Sequence, residues 1–268
     1  VSDTCIEGYV QAKNVCGHGR YKLYFSLNTD QPFQLEEQKE TTACLTFGKK
    51  VRAVEVRIGL SALSSELASW ECARWEKMDF AELKSQTGNQ WEKQLSAIDV
   101  KGGKKDDKVI FYTSLYRAYL SPADVSSPDG AYLGTDGKVY ISEDFRYYSN
   151  WSLWDTFRTK FPLLVLTEPA RMRDMATSLI HLYATGKKDW STGFESTPTV
   201  RTEHAVILLL DAYRKGITTL DFRKGYAGMK EEMERLPMRS PDQKMESAYD
   251  LWAMAQIAEI IGEKADSE

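Results

Sequence analysis

The hydrophobic period of this chain changes once, near Ser61, and that change limits its fold more than any other feature. Before it, YKLYFSL (Tyr21–Leu27) alternates Leu23, Phe25 and Leu27 against Lys22, Tyr24 and Ser26. VRAVEVRIG (Val51–Gly59) sets Val54, Val56 and Ile58 against Glu55 and Arg57. Period two in β-branched and aromatic residues predicts strands with one buried face. NTDQP and FGKK supply the turns between them. This is consistent with part of a β-sandwich over residues 1–62. From Ser61 onward, SALSSELASWECARWEKM carries Leu63, Leu67, Trp70 and Ala73 or Arg74 at helical spacing, with Ser64 or Ser65 as caps. NQWEKQLSAIDV places Trp91, Leu95 and Ile98 on one face. These two segments read as linker helices, residues 63–107. Strands first and helices afterwards predict an α+β chain with more than one domain.

Beyond Gly102-Gly103, residues 108–268 read as helices joined by long loops. KVIFYTSLYRAYL stops at Pro122. DTFRTKFPLLVL stops before Pro169, with Pro162 marking a kink or break. ARMRDMATSLIHLYATG, EHAVILLLDAYRKG and MESAYDLWAMAQIAEIIG close on Gly186, Gly216 and Gly262, a helix stop signal. Antiparallel helix pairs suggest a bundle or an α/α toroid. The loops Ser121–Phe145 and Lys187–Thr202 are the kind of segment on which sites are built.

Composition narrows the function classes. A net charge of −4 gives no electrostatic reason to expect nucleic acid. The lysine cluster KGGKKDDK (Lys101–Lys108), interrupted by Asp106 and Asp107, reads as a solvated turn. No stretch of eighteen or more apolar residues is present, so no membrane span is expected. The opening residues do not read as a signal peptide, and VSDTCIEGYV, starting at Val1, begins as though mid-domain. Cys5, Cys16, Cys44 and Cys72 fit no zinc spacing, and His18, His181 and His204 form no H-x-x-x-H pair. A Cys5–Cys16 disulfide and free thiols both remain open. No P-loop or G-x-S-x-G occurs, and GTDGK (Gly134–Lys138) is a turn too short for an EF-hand. Seven tryptophans and 12% aromatic residues hint at carbohydrate binding, though most such rings serve a core.

RYYSNWSLWDTFRTKFPLL (Arg146–Leu164) gathers Trp151, Trp154, two tyrosines and two phenylalanines around Asp155 and Arg158. On a helix starting near Leu153, Asp155 and Arg158 share a face. The carboxylate can accept two sugar hydroxyls, the guanidinium can donate to a third, and an indole can stack on the C–H face of a pyranose. The alternative is that Asp155 caps the helix and pairs with Arg158. Asn150-Trp151-Ser152 also matches an N-glycosylation acceptor, here a chance match in aromatic surroundings.

These segments carry a resemblance. WEKQLSAIDVKGGKKDDKVIFYTSLYRAYLSP, DGAYLGTDGKVY and YYSNWSLWDTFRTKFPLLVLTEPARMRDMATSLI follow one another as in glycoside hydrolase family 92, the calcium-dependent exo-acting α-mannosidases. EGYV, CGHGRYKLYF and VRIGLS resemble the end of that family's N-terminal β-sandwich. EHAVILLLDAYRKGI and MESAYDLWAMAQIAEIIG resemble later helices of its catalytic toroid. The resemblance implies a β-sandwich joined by linker helices to an (α/α)6 toroid. It also implies an inverting mechanism, in which one acid protonates the leaving oxygen and a second carboxylate activates water, the two standing roughly 6.5–9.5 Å apart. By position, Trp154, Asp155 and Arg158 would line the subsite for the terminal mannose, with His204 and Glu246 bordering it. The bland alternatives are a helix-end histidine satisfied by backbone and a solvated helix glutamate.

The chain departs from the family in places. A GNET-like loop and a GNHA segment are expected where it has DWSTGFESTPTVRTEHA: Glu203 replaces the Asn and the glycines are gone. The segment from Tyr226 to Glu246 is shorter than usual. The family's general acid, general base and main calcium ligands lie downstream of the helix ending at Gly262, so the resemblance implies calcium with no ligand among these residues. About half of a twelve-helix toroid fits in 268 residues. The expectation is a fragment of, or partner to, a larger catalytic unit that trims terminal α-linked mannose from glycans, outside the cell or in the periplasm. The alternative is a non-catalytic carbohydrate-binding or scaffold protein derived from the same fold.

Overall fold

The structure, a computed structural model, describes residues 2–13, 20–39, 42–189, 195 and 199–267. Cys16 and His18 lie outside the described residues, as does most of the Lys187–Thr202 loop. The fold mixes α and β elements and divides into two compact units: residues 1–11 with 22–94, and residues 12–21 with 95–268.

In the first unit, β1 (Cys5–Lys13), β2 (Arg20–Thr29) and β5 (Val56–Ser61) form a sheet in the order β1-β2-β5, and β3 (Phe33–Lys39) pairs with β4 (Thr42–Phe47). Two helices, α1 (Ser65–Ala73) and α2 (Phe80–Leu95), follow. The face of β5 is the reverse of the sequence expectation. Val56, Ile58 and Leu60 are turned outward, while Gly59 and Ser61 are buried. The reason is close packing of α1: a Cβ on residue 59 would stand 2.0 Å from the Ala68 carbonyl oxygen, so the side of β5 that meets the helix must be small. The buried stripe of α1 is correspondingly Ala68 and Cys72, and Trp70 is exposed. Ser64 caps α1, accepting from the Leu67 amide at 3.2 Å. The second helix ends at Leu95, so Ile98 falls beyond the predicted stripe. Cys5, Cys44 and Cys72 are free thiols.

The second unit begins with α3 (Lys105–Tyr119), whose first turn takes up part of the lysine cluster read as a turn. Four short strands follow: β6 (Ala123–Asp124), β7 (Ala131–Leu133), β8 (Val139–Ile141) and β9 (Tyr148–Ser149), paired β6 with β9 and β7 with β8. The long loop is therefore ordered. Arg146 ties it down, donating to Asp124 Oδ2 at 2.8 Å and to the Ser126 and Ser127 carbonyls at 2.8 and 3.0 Å. After a 3-10 turn (Thr156–Arg158) come α4 (Lys160–Thr167), α5 (Pro169–Thr185), α6 (Ala205–Arg214), α7 (Phe222–Met233), α8 (Pro241–Ile261) and α9 (Lys264–Ser267).

No α-helix starts near Leu153. Residues 156–158 form the 3-10 turn, and α4 begins only at Lys160. This places Pro162 in the first helical turn, where its missing N–H leaves no hydrogen bond unmade. Gly186 and Gly262 end α5 and α8 in the left-handed region, at φ 103° and 81°. The core lies where α5 meets α4, α6 and α7, with α8 against α6 and α7. Ala205 to Leu210 are all buried, because α6 is surrounded by its neighbours. Among the described residues, no helix is long and apolar enough to cross a membrane.

Candidate functional site

Helix ends and short loops of the second unit enclose a cavity of about 420 Å³. Its walls come from five places: the turn carrying Trp154, the stretch after α5 with Lys187, the approach to α6 with Arg201, Glu203 and His204, the end of α7, and one face of α8. Trp154, His204 and Glu246 all line it. Asp155 does not: it stands at the N-cap position of the 3-10 turn, exposed, and makes no capping bond. Arg158 also falls outside the lining and reaches Glu246 across 3.7 Å instead of Asp155.

The chemistry of the walls is uneven. Trp154 is 43% exposed, unusual for an indole in the wall of a cavity. The Arg201 guanidinium sits 4.3 Å from its ring centroid, which orients the ring by cation–π attraction, and Arg201 is in turn held by Glu203. His204 precedes α6 with φ 64°, a left-handed conformation that a non-glycine residue adopts only when its surroundings enforce it. The enforcing contact is visible. His204 Nδ1 lies 3.0 Å from Asp250 Oδ2 on α8, and the two side chains are 5% and 4% exposed. The Phe157 ring packs on the imidazole at 4.7 Å. Sequence reasoning missed Asp250; its only signal was an aspartate on the apolar stripe of α8.

Three buried polar atoms in these walls have no hydrogen-bond partner among the described residues: His204 Nε2, Asp250 Oδ1 and Glu203 Oε2. Buried polar atoms are nearly always satisfied, so three around one cavity mark a place built for a polar ligand. A fourth group is closed. Lys187 Nζ is buried between Glu232 and Asp189, and the Tyr183 hydroxyl donates to Glu232. Burial pushes the lysine pKa down, but the two carboxylates outweigh it and hold the ammonium above its usual range. Among the described residues, no group of three or more His, Cys, Asp or Glu side chains is placed to hold a metal ion. Among the described residues, the walls of this cavity therefore offer calcium no ligand set.

The same unit holds a second cavity of about 420 Å³, between the loop after β8, α5 and the start of α7. His181, Phe145, Arg173 and Lys224 are in its walls. Here the histidine is paired at Nδ1, which lies 2.6 Å from the Tyr132 hydroxyl. Burial, then the nearby Lys224 charge, pushes His181 down to about 4. Phe145 is only 8% exposed.

Among curated proteins, none matches the sequence. Solved structures do. Over 98% of its length, the chain is similar to the GH92 family glycosyl hydrolase ccman5, with TM-score 0.82 and 25% identity, and it covers 39% of that protein. Over 99% of its length, it is similar to the GH92 α-mannosidase BT3965 of Bacteroides thetaiotaomicron, with TM-score 0.81 and 25% identity, covering 42%. The inverting GH92 mannosidase BT2199 of Bacteroides thetaiotaomicron shares the fold at TM-score 0.77 and 21% identity, again with 42% of that chain covered. The profile of the glycosyl hydrolase family 92 catalytic domain matches residues 67–244, and the chain belongs to that family.

Proposed function

We propose that this chain forms part of an exo-acting α-mannosidase that releases terminal α-linked mannose from glycans with inversion. The observation that carries the reading is the half-exposed Trp154 indole at a cavity where three buried polar atoms lack partners. A hexose offers both complements: an apolar C–H face and a ring of hydroxyls that donate and accept. In this reading Trp154 stacks on the terminal mannose and His204 and Glu246 take hydroxyls. Arg158 orients Glu246, and Asp155 joins the ligand from the rim. The β elements are the closing part of a β-sandwich, and the helices of residues 108–268 are one arc of an (α/α)6 toroid. The general acid, the general base and the calcium ligands are placed outside these residues, and calcium enters only as a family expectation. The substrate is expected outside the cell or in the periplasm.

The test is mannose release from a high-mannose glycan by the full-length protein, with and without a calcium chelator, the sugar anomer being followed by NMR. Inversion gives the β-anomer first, and the chelator should stop release. Binding of mannose without release would favour the non-catalytic carbohydrate-binding reading, which the ion-paired Glu203 in place of the family's Asn already supports. Neither binding nor release would sink both.

A further inference from the structure

The proposed function leaves unexplained why α8 should bury a carboxylate against the imidazole that opens α6. Asp250 is almost fully enclosed, and only one of its oxygens is used, at 3.0 Å from His204 Nδ1. A buried carboxylate is costly to keep unless it does something that an apolar residue could not. What it does to the imidazole follows from elementary chemistry. A carboxylate only accepts, so the shared proton resides on Nδ1. A neutral ring protonated at Nδ1 presents a bare lone pair at Nε2. That is the atom left without a partner at the cavity. The ring has no freedom to escape the arrangement. Phe157 packs on it at 4.7 Å, and its backbone is locked at φ 64°. The neighbouring side chains supply complementary chemistry: Arg201 donates, while Glu203 and Glu246 accept. A ligand hydroxyl that meets a fixed Nε2 acceptor must donate to it and is free to accept from a cation nearby.

We propose that Asp250 is a positioning residue that holds His204 in the tautomer whose Nε2 accepts one particular hydroxyl of the bound sugar. The inference rests on the reading of the cavity as a mannose site. It adds direction to that reading: the pocket discriminates by the donor sense of one hydroxyl, not only by shape. A site built to hydrogen-bond a hydroxyl rejects the analogue lacking it far more strongly than a site that merely encloses it.

The experiment measures affinities of mannose and its four monodeoxy forms for the full-length protein, its D250N, H204Q and H204F variants, together with the ¹⁵N signature of the His204 ring. In the unaltered protein, one deoxy sugar should bind about tenfold more weakly than mannose, the loss expected for one buried hydrogen bond. In D250N the side-chain amide can donate to Nδ1, so the proton moves to Nε2. That one gap should narrow to a few-fold, because the sugar hydroxyl gives up its donation and turns to accept from Nε2–H, while the other three deoxy sugars keep their affinities relative to mannose. H204F should close the same gap. H204Q should keep it in whole or in part, because the glutamine oxygen accepts without help from residue 250. An unchanged ring signature and an unchanged gap in D250N overturn the proposal, and so does a uniform loss across all four deoxy sugars, which is what a merely structural role produces. If D250N does not fold, the H204F and H204Q pair decides: a gap that survives in both overturns the proposal. No mannose binding by the unaltered protein overturns the site reading itself and the proposal with it. The ring signature then still reports whether Asp250 sets the tautomer.

Discussion

Two cavities of the helical unit have the same volume, about 420 Å³, and each is lined by a histidine and by charged groups of both signs. They differ in what is left undone. In the second, Tyr132 pairs with His181 Nδ1, Tyr147 stacks on Tyr132 with 4.0 Å between centroids, the Phe145 ring is covered, and among the described residues no buried polar atom of the walls is left without a partner. In the first, Asp250 satisfies one nitrogen of His204 and leaves the other, and the Trp154 ring stays open. Space of the right size is common between packed helices. Unspent hydrogen-bonding capacity beside an uncovered ring is not, and it separates a ligand site from a packing gap.

The largest effect that would sharpen this contrast is on stability. The Lys187 ammonium at the first cavity depends on Glu232. Replacing Glu232 by Ala leaves the buried ammonium with Asp189 alone and the Tyr183 hydroxyl without its acceptor, and should cost about 3 kcal/mol in denaturant unfolding. In the second cavity, Asp221 makes no side-chain cap bond at the start of α7, and Asp221→Ala should stay within about 0.5 kcal/mol. Equal costs would mean that the two cavities are built alike.

Next comes affinity. Trp154→Ala removes the open ring and should weaken mannose binding about ten- to a hundredfold, which is ~1.4–2.8 kcal/mol. Phe145→Leu alters a ring that is almost fully covered and should leave titration curves for mannose unchanged. A loss on changing Phe145, or none on changing Trp154, would reverse the assignment of the two cavities.

How much of this was legible in the sequence depends on which neighbour fixes each residue. Helices α5, α6 and α8 were readable because their apolar spacing and terminal glycines are local signals. Helix α7 was not, since FRKGYAGMKEEM carries two glycines that argue against a helix. The structure supplies the reason. Cβ atoms on Gly225 and Gly228 would fall 2.8 and 2.4 Å from the Ile180 and Tyr183 carbonyl oxygens, so α7 lies flush on α5 and needs a bare face. The outward turn of Val56 and Ile58 was hidden for the same reason: the period of a strand says which residues share a face, not which face a helix will cover. At the cavity, Trp154, His204 and Glu246 come from three separate segments, and the family resemblance alone had grouped them. Asp250 showed only as an aspartate on an apolar stripe and the Lys187–Glu232 pair had no local signature, because each matters only through a side chain far away in sequence.

A smaller effect separates the two histidines by pH. His181 is held near 4 in the fold against about 6.5 in an unfolded chain. Folding therefore disfavours its protonated form, and the unfolded state binds more protons between those values. Stability should fall as the pH is lowered from about 6.5 toward 4 and then level off. The contribution should be about 1–2 kcal/mol, because the ring is partly exposed and screened. Denaturant titrations of His181→Gln across that window should show a flatter slope. An identical slope would mean that the second cavity's histidine is not held by burial.

The smallest effect tests the rim. Arg158 is 59% exposed, and its 3.7 Å pair with Glu246 is a surface contact by distance and solvation. Such a pair contributes about 0–0.5 kcal/mol, so Arg158→Ala should leave the unfolding midpoint almost where it was. If the pair serves only the fold, mannose affinity should be equally indifferent. If Arg158 holds Glu246 toward a ligand, affinity should drop a few-fold without any loss of stability. Glu246→Gln, which keeps the shape and removes the charge, should then give the same drop, and the two changes combined should cost no more than either alone. Additive losses in the double variant would mean that each residue meets the sugar independently. Arg158 would then be a contact in its own right and not the support of Glu246.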